Sequence, residues 1–339
     1  MRKKIFSILQ YILFLGAGIF LTWWQLRSMT PEHQKDFESA LKNANYWLLI
    51  PVIIMSLLSH LSRSMRWKLL MEPLEYHPKL KNAFACTMIG YFANSAIPRL
   101  GEVLKCTFLS RYEKLKFDKV FGTIIVERAF DFVCYLIFIG ITVLLQVQLI
   151  GDYLDKKLKA MGNPDGLPFW AKMILIVAGI AILFIGLKWL LKKYPHNKFI
   201  TKVNGFIRGI LTGFSSIKNL KKRKLFIAHT LFIWSMYLLQ IYIGFYAMEG
   251  TTGLGINAAF SVLSLATLAM IASPGGIGFF PIFVMETLLL YDIASPQGKA
   301  FGWLIWGANT SIVIVAGLVS LVLLPYINRQ KERKEAGLH

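Results

Sequence analysis

The chain has 339 residues, of which 55% are hydrophobic and 17% are charged, and its formal net charge is +20. The hydrophobic share excludes a disordered chain, and apolar runs longer than about 18 residues disfavour an ordinary soluble domain. The sequence therefore predicts an all-α polytopic membrane protein, a single integral membrane domain over residues 1–339. We expect about six full spans plus two re-entrant broken-helix hairpins, arranged as an inverted repeat.

Six apolar stretches are long enough to cross a bilayer as helices. They cover approximately residues 5–26, 47–68, 119–147, 169–191, 224–248 and 300–325. The first stretch follows a basic N-terminus, as in a secretory signal, but it lacks a small-residue cleavage site. It also contains Trp23-Trp24, which suits an interfacial anchor. We therefore expect a retained first helix.

Positive charge is concentrated in a few segments of the chain. The basic segments are 1–4, 63–82, 99–119, 188–224 and the tail from Arg329, whereas 27–46 and 148–168 are balanced. Because Lys and Arg accumulate in cytoplasmic loops, this pattern predicts that both termini are cytoplasmic and that Asp152 to Gly166 lie outside. The same pattern removes the case for nucleic acid as a partner.

Two further apolar stretches, 82–110 and 255–291, do not fit as simple crossings. If 63–82 and 99–119 are both cytoplasmic, the stretch 82–110 has to enter the membrane and leave it on the cytoplasmic side. By the same reasoning, the stretch 255–291 enters and leaves on the outer side. Proline and glycine supply the break points, because proline removes a backbone donor and glycine admits positive φ. The predicted broken-helix turns are Pro98, Gly101, Pro274, Gly275, Gly276 and Gly278. Non-helical backbone at membrane depth needs a protein or water environment, so each break predicts a polar interior.

The order of span, hairpin and span occurs twice, which predicts an inverted repeat of the kind found in transporters. The predicted segments are 1–46 (first span and outer loop), 47–147 (repeat 1), 148–223 (linker span and amphipathic helix), 224–325 (repeat 2) and 326–339 (cytoplasmic tail). The alternative is a coincidence of approximate boundaries. Within the linker, 195–222 has an apolar face and basic flanks, which indicates a helix attracted to anionic headgroups. A basic connecting loop is the alternative there.

Charged residues interrupt the apolar span 119–147 at Glu127, Arg128 and Asp131. An unpaired charge near the centre of a membrane helix costs about 2.5–3.5 kcal/mol on insertion scales. We therefore expect these groups to face protein or water and to find partners elsewhere in the chain. A self-neutralising structural cluster near the interface is the alternative.

Further polar residues flank the first break and the end of the second span. A broken helix exposes backbone N–H groups, and a guanidinium beside it offers a planar fork that suits phosphate. The predicted headgroup-binding residues are Arg66, Arg99, Arg128 and Asn94, and the predicted counter-ions or gating residues are Glu102, Glu127 and Asp131. Alternatively, Arg63 and Arg66 are anchors whose side chains extend to the membrane surface.

Motifs of soluble enzymes are missing from the sequence. The turn from Pro274 to Gly278 lacks the lysine and hydroxyl of a nucleotide-binding loop, and no histidine pair has the spacing of metal ligands. Cys86, Cys106 and Cys134 are an odd set without paired spacing, which argues against a disulfide framework. We therefore expect no metal, no cofactor and no enzymatic activity.

Four motifs in register resemble a known family. They are Arg66-Trp67, Asn94…Pro98-Arg99-Leu100-Gly101-Glu102, Glu127-Arg128…Asp131 and Pro274-Gly275-Gly276-Ile277-Gly278. The chain resembles the flippase-like family named after the transmembrane region of lysylphosphatidylglycerol synthase. The resemblance implies a multi-pass protein of the bacterial cytoplasmic (inner) membrane, or its archaeal counterpart, that moves lipid headgroups between leaflets.

Two departures from that family stand out. Bifunctional relatives carry a soluble aminoacyl-transferase domain, and this chain ends at His339 without one, so we do not expect synthase activity. Relatives commonly have an acidic residue shortly after the glycines of the second break, where this chain has Phe279-Phe280-Pro281.

These observations favour a transporter or flippase for an anionic or aminoacylated phospholipid, or for a polyprenyl-phosphate-linked lipid. A membrane-embedded lipid-modifying enzyme with Glu127 or Asp131 as base is the alternative from a second class. A non-catalytic membrane partner of an envelope lipid synthase is the third. The expected partners are a membrane lipid, anionic headgroups at the cytoplasmic surface, and a second copy of the chain or an envelope-synthesis enzyme.

Overall fold

The structure is a computed structural model. It describes residues 16, 18–25, 27–97, 99–147, 171, 174, 178–179, 182, 185–186, 189, 193 and 220–335. The regular elements of these residues are helical, as expected. Two compact units are formed: one holds the described residues up to Glu127 and from 220 onwards, and the other holds those from Arg128 to 193.

Residues 18–25 are helical, and nine longer helices follow among the described residues. They are α1 (Pro31–Lys42), α2 (Leu49–Met71), α3 (Leu80–Ala96), α4 (Leu100–Glu113), α5 (Phe117–Leu145), α6 (Arg223–Phe245), α7 (Ile256–Ala272), α8 (Phe279–Leu289) and α9 (Ser295–Glu335). Short 3-10 turns lie at Tyr46–Leu48, Glu72–Leu74, Glu249–Thr251 and Pro274–Gly276.

Four described helical segments are long and apolar enough to cross a membrane. They are Tyr46–Leu74, Phe117–Leu145, Arg223–Phe245 and Ser295–Arg329. They coincide with the predicted spans 47–68, 119–147, 224–248 and 300–325, so the multi-pass prediction is confirmed for this part of the chain. The spans expected at 5–26 and 169–191, and the amphipathic helix expected at 195–222, lie largely outside the described residues.

Helix α1 occupies a segment that the sequence analysis treated as an outer loop. Pro31 stands in the first turn, where its missing N–H is harmless, and the Thr30 hydroxyl accepts a hydrogen bond from the His33 backbone N–H at 3.2 Å. Phe37 is its buried residue. Hydropathy alone does not reveal this helix, because most of its residues are polar.

The first predicted hairpin is a pair of helices, α3 and α4, that pack against each other. Helix α3 ends at Ala96, and Arg99 precedes α4 with a left-handed φ of 66°. A Cβ atom on Gly101 would collide with the Gly90 carbonyl oxygen, so this glycine permits the close approach of the two helices. Pro98 itself lies outside the described residues.

The second predicted hairpin is the pair α7 and α8, which also pack together. The connecting turn has positive φ at Gly275 (59°), Gly276 (73°) and Gly278 (72°). A side chain would be strained at each of these angles, which explains the run of glycines. Whether either hairpin is re-entrant in a membrane remains a prediction, and so does the inverted repeat.

Helix α2 packs against α6, and α9 packs against α3 and α8. Helices α2 and α6, which the predicted repeat pairs with each other, have 23 residues each, and α3 and α7 have 17 each. An apolar core joins α2, α3, α4, the first turns of α5 and the end of α9. Its fully buried members include Trp67, Met71, Cys86, Cys106 and Leu324.

Segments that were assigned to one side of the membrane contact each other at the ends of the helices. Lys222 pairs with Glu72 at 2.7 Å, and both belong to predicted cytoplasmic segments. The Asn45 backbone N–H donates to the Ala247 carbonyl at 2.8 Å, and both lie near predicted outer loops.

Candidate functional site: a buried basic cluster and two helix breaks

Glu127 is surrounded by basic side chains from two other helices. Its Oε1 lies 3.4 Å from Arg63 Nη1 and 3.3 Å from Arg66 Nη2, and its Oε2 lies 3.3 Å from Lys105 Nζ. Glu127 and Arg66 are fully buried, and Arg63 and Lys105 are nearly so. We call these four residues the basic cluster.

Each member of the basic cluster is positioned by helix geometry. Arg63 and Arg66 are three residues apart on α2, so they share a face of that helix. Lys105 lies on α4, one turn after Gly101, whose close contact with Gly90 brings α4 against α3. Glu127 lies on α5, in the half of the helix that belongs to the first unit.

Neutral groups complete the surroundings of the cations. Arg63 Nη2 donates to Tyr237 Oη at 3.2 Å, and Arg66 Nη1 donates to Thr230 Oγ1 at 3.2 Å, both on α6. Lys105 Nζ lies 3.9 Å from the centre of the Trp67 ring. Such cation–π and hydrogen-bond contacts stabilise buried charge that would otherwise lose its hydration.

Burial of this many ionisable groups costs more free energy than an apolar core of the same volume. Buried ion pairs are weak evidence for stability, because desolvation offsets much of the attraction. In membrane helices, buried ionisable residues are by default a functional-site hypothesis. The basic cluster can stabilise an anionic group that approaches it, since it concentrates guanidinium and ammonium donors.

The predicted site residues differ in their burial and in their contacts. It brings Arg66 and Glu127 into direct contact. Arg99 and Arg128 are exposed, and Glu102 and Asp131 are partly buried. The headgroup-binding and gating roles of these residues remain predictions.

Two features of the basic cluster differ from what the sequence suggested. Arg63 and Arg66 are buried, so the alternative that they are anchors reaching for the membrane surface is wrong. Lys105 was missed, although a lysine inside the apolar stretch 82–110 was a usable signal.

Asn94 closes the first helix break. Its Oδ1 accepts a hydrogen bond from the Gly101 backbone N–H at 2.8 Å. This bond satisfies one of the donors that a helix start leaves without a partner. Asn94 therefore holds the end of α3 against the start of α4, and its predicted contact with a headgroup remains a prediction.

The second helix break lies against the end of α3, just before the first break. The turn Pro274–Gly276 contacts α3, and a Cβ built on Gly275 would be 3.4 Å from Ser95 Cα. Trp306 of α9 holds this turn, because its Nε1–H donates to the Gly275 carbonyl oxygen at 2.8 Å. The second break is therefore held between α9 and the end of α3.

The helical segment 18–25 lies against the same region. Gln25 Nε2 donates to the Gly278 carbonyl oxygen at 2.8 Å, and Gln25 is buried. A Cβ on Gly18 would be 2.8 Å from the Ile277 carbonyl oxygen. The second turn is therefore held from one side by α9 and from another by the segment 18–25.

Comparison with known proteins supports a family assignment. A family model described as "Lysylphosphatidylglycerol synthase TM region" matches residues 7–333. The chain is also similar to the UPF0104 membrane protein MJ1595 of Methanocaldococcus jannaschii, with 31% identity over 99 residues. That match covers 28% of this chain and 30% of the relative, so the chain spans less than a third of the relative's length. No solved structure matches the chain.

Proposed function

Because the chain belongs to the family of lysylphosphatidylglycerol synthase transmembrane regions, we propose that it is a lipid transporter. It moves an anionic or aminoacylated phospholipid, or a polyprenyl-phosphate-linked lipid, between the leaflets of the bacterial cytoplasmic membrane. The headgroup crosses the membrane in contact with the protein, while the hydrocarbon tails stay in the bilayer. This route avoids placing a charged group in hydrocarbon, which costs at least about 2.5 kcal/mol.

The observation that carries the proposal is the position of the second break beside the end of α3, just before the first break. A Cβ added to Gly275 in the second break would lie 3.4 Å from Ser95 Cα, within a bundle of helices long enough to span a membrane. Discontinuous helices that meet in this way expose backbone donors and carbonyls inside the protein. A polar headgroup can bind there without entering the hydrocarbon of the bilayer.

The basic cluster gives the anionic headgroup a second group of contacts. Helix α4 begins at the first break, where Arg99 is exposed, and reaches Lys105 within two turns. A phosphate that leaves the break along α4 would exchange its contact with Arg99 for one with the cluster. Glu127 offsets one of the three positive charges of the cluster when no phosphate is bound.

The arrangement of Glu127 favours transport over lipid-modifying chemistry. A general base needs an oxygen directed at the proton that it removes. Oε1 of Glu127 contacts two guanidinium groups and Oε2 contacts an ammonium, so both oxygens already serve as acceptors. Glu127 is therefore better placed as a counter-ion than as a base.

Transport is tested by reconstituting the purified chain into liposomes. The probe lipids are phosphatidylglycerol, lysylphosphatidylglycerol and a polyprenyl phosphate, each followed by the accessibility of its headgroup from outside. We expect faster translocation of at least one of them than in protein-free vesicles. No acceleration for any probe, with and without an imposed proton gradient, would refute the proposal. New headgroup products in the same vesicles would instead indicate an enzyme.

Arg99 offers a variant that separates charge from backbone geometry. Arg99→Gly relieves the left-handed φ and removes the guanidinium, so the protein should remain folded while translocation falls at least about tenfold. Arg99→Lys should recover only part of the rate, because an ammonium cannot form a bidentate contact. Lys222→Gln, which removes an exposed charge, is the matched control. Wild-type rates in a folded Arg99→Gly protein would exclude Arg99 from the route.

Arg128 belongs to the second unit, and its assignment rests on the sequence alone. Arg128→Ala is therefore measured separately in the same assay. If Arg128 grips a phosphate, most translocation should be lost in a protein that still folds and inserts. A normal rate would remove Arg128 from the site and leave the Arg99 result unaffected.

A further inference from the structure

A groove of 760 Å³ runs along α2 and α9 on the membrane-spanning part of the first unit. One wall is formed by Leu49, Ile53 and Leu57 of α2, and the other includes Gly307, Ala308 and Ser311 of α9. The lining is almost wholly apolar. Its volume lies within the roughly 300–1,000 Å³ range of small-molecule sites.

The groove is elongated. Its lining on α9 extends from Trp303 to Val319, which corresponds to about 24 Å at 1.5 Å per residue. Its wall on α2 extends from Leu49 to Leu57, which corresponds to about 12 Å. An elongated apolar groove of this kind suits an extended hydrocarbon chain.

Small side chains on α9 create this space. Glycine in a membrane helix usually permits close packing of a neighbouring helix. A Cβ on Gly307, however, would meet no atom within 4 Å, unlike one on Gly317, which would touch Phe92 of α3. Gly307 thus leaves room in the groove instead of bringing two helices together.

The surroundings of the groove indicate which kind of molecule occupies it. The groove lies on helices of membrane-spanning length, and Val315 and Val319 in its lining are 60% and 49% exposed. In a bilayer, the phase next to such residues consists of hydrocarbon chains. We propose that this groove binds one hydrocarbon chain of a membrane lipid.

The groove site does not depend on transport, because a resident lipid that only stabilises the fold would satisfy the same contacts.

The test measures lipid retention and uses the full chain. The protein is reconstituted with phosphatidylglycerol, extracted in mild detergent and weighed by native mass spectrometry. We expect one lipid retained per chain. The double variant Gly307→Leu/Ala308→Leu fills the groove and should lower that occupancy at least about fivefold. Val322→Leu, at an exposed position of α9 outside the lining, is the matched control and should retain the lipid.

A second measurement covers the case in which the filled variant does not fold. Phosphatidylglycerol with a photoactivatable acyl chain is cross-linked to wild-type protein, and the modified peptides are mapped. Cross-links should concentrate on 49–57 and 303–319 and persist against excess unlabelled phosphatidylcholine. Equal retention in the filled and control variants, or cross-links spread evenly over exposed helix faces, would overturn the proposal.

Two other outcomes have distinct meanings. Loss of a two-chain species in the filled variant, without loss of lipid, would show that a second copy occupies the groove and would overturn the lipid assignment. Lipid retained in the groove by a protein that does not accelerate translocation would refute the proposed transport and leave the groove site standing. The two proposals therefore fail separately.

Discussion

At Glu127, one carboxylate contacts three cations in an environment without bulk water. Removing one partner of a buried ionic group usually costs about 3–5 kcal/mol, because the remaining charge loses its compensation. Glu127→Gln keeps the shape of the side chain and deletes its charge. We expect it to lower the free energy of unfolding by that amount, seen as a lower melting temperature in detergent.

Glu72 provides the matched control for this substitution. It pairs with Lys222, whose side chain is 59% exposed, and exposed pairs contribute about 0–1 kcal/mol. Glu72→Gln should therefore leave the melting temperature nearly unchanged. Equal effects at Glu72 and Glu127 would show that the basic cluster does not stabilise the fold.

The sequence identified Glu127 and Arg66 as site residues, because charges in an apolar span need partners. It did not identify which side chains contact these two residues. Arg128 directly follows Glu127 on α5, yet Glu127 is buried and Arg128 is exposed. Which of two adjacent side chains faces the protein depends on the packing of other helices, and hydropathy carries no information about it. Lys105 was missed although its charge inside the apolar stretch 82–110 was a signal of the same kind as that of Glu127.

At the scale of single helices and turns, the glycines separate into two kinds. A Cβ on Gly101 of α4 would collide with the Gly90 carbonyl oxygen, whereas a Cβ on Gly122 of α5 would meet no atom within 4 Å. Gly101→Ala should therefore destabilise the protein by about 1–3 kcal/mol through overpacking. Gly122→Ala should be neutral or stabilise it by up to about 1 kcal/mol, because alanine favours the helix. Thermal unfolding of both variants checks the contrast, and equal melting temperatures would contradict it.

The turn of the second break depends on a hydrogen bond from α9. Trp306→Phe keeps most of the ring and removes the N–H that bonds to the Gly275 carbonyl oxygen. We expect a loss of about 1–3 kcal/mol, and faster amide hydrogen exchange confined to residues 273–278. Trp47→Phe is the control, since Trp47 is 79% exposed and should change stability by less than about 0.5 kcal/mol. Unchanged exchange at 273–278 would show that Trp306 does not hold the turn.

The positions of the helix breaks could be read from the sequence, because proline and glycine restrict the backbone locally. Helices α3 and α7 end at Ala96 and Ala272, just before the predicted break residues. The contact between the second break and the end of α3 could not be predicted in the same way. It depends on Ser95 and Gly275, which are distant in sequence and carry no pattern that links them.

For the whole molecule, the distribution of charge predicts which face of the membrane each loop occupies. The basic excess predicts that Lys222 and Lys114 are cytoplasmic and that Glu32 and Gly253 are outside. Single cysteines are placed at these four positions in a background without Cys86, Cys106 and Cys134. Only the cysteines at 32 and 253 should react with a membrane-impermeant reagent added from outside. External labelling of Lys222→Cys together with protection of Gly253→Cys would show that the topology is inverted.

The spans themselves were the most predictable feature of the molecule. Four of the predicted spans match described helices within a few residues, because an apolar run of bilayer length is a strong and local signal. The short helix α1 was not predicted. Its signals, Thr30 before Pro31 and a single buried Phe37, are capping and packing signals that a hydropathy scan does not register.

The partners in the basic cluster are also separated in time during synthesis. Arg63 and Arg66 precede Glu127 by 64 and 61 residues. At about 5–20 residues per second, roughly 3–13 s pass between the synthesis of the arginines and that of their counter-ion. During that interval the two arginines lack their counter-ion, at the end of α2 that the charge pattern places towards the cytoplasmic surface. We therefore expect α2 to stay within the insertion machinery, or near the membrane surface, until α5 emerges. The order of membrane insertion would then depart from the order of translation.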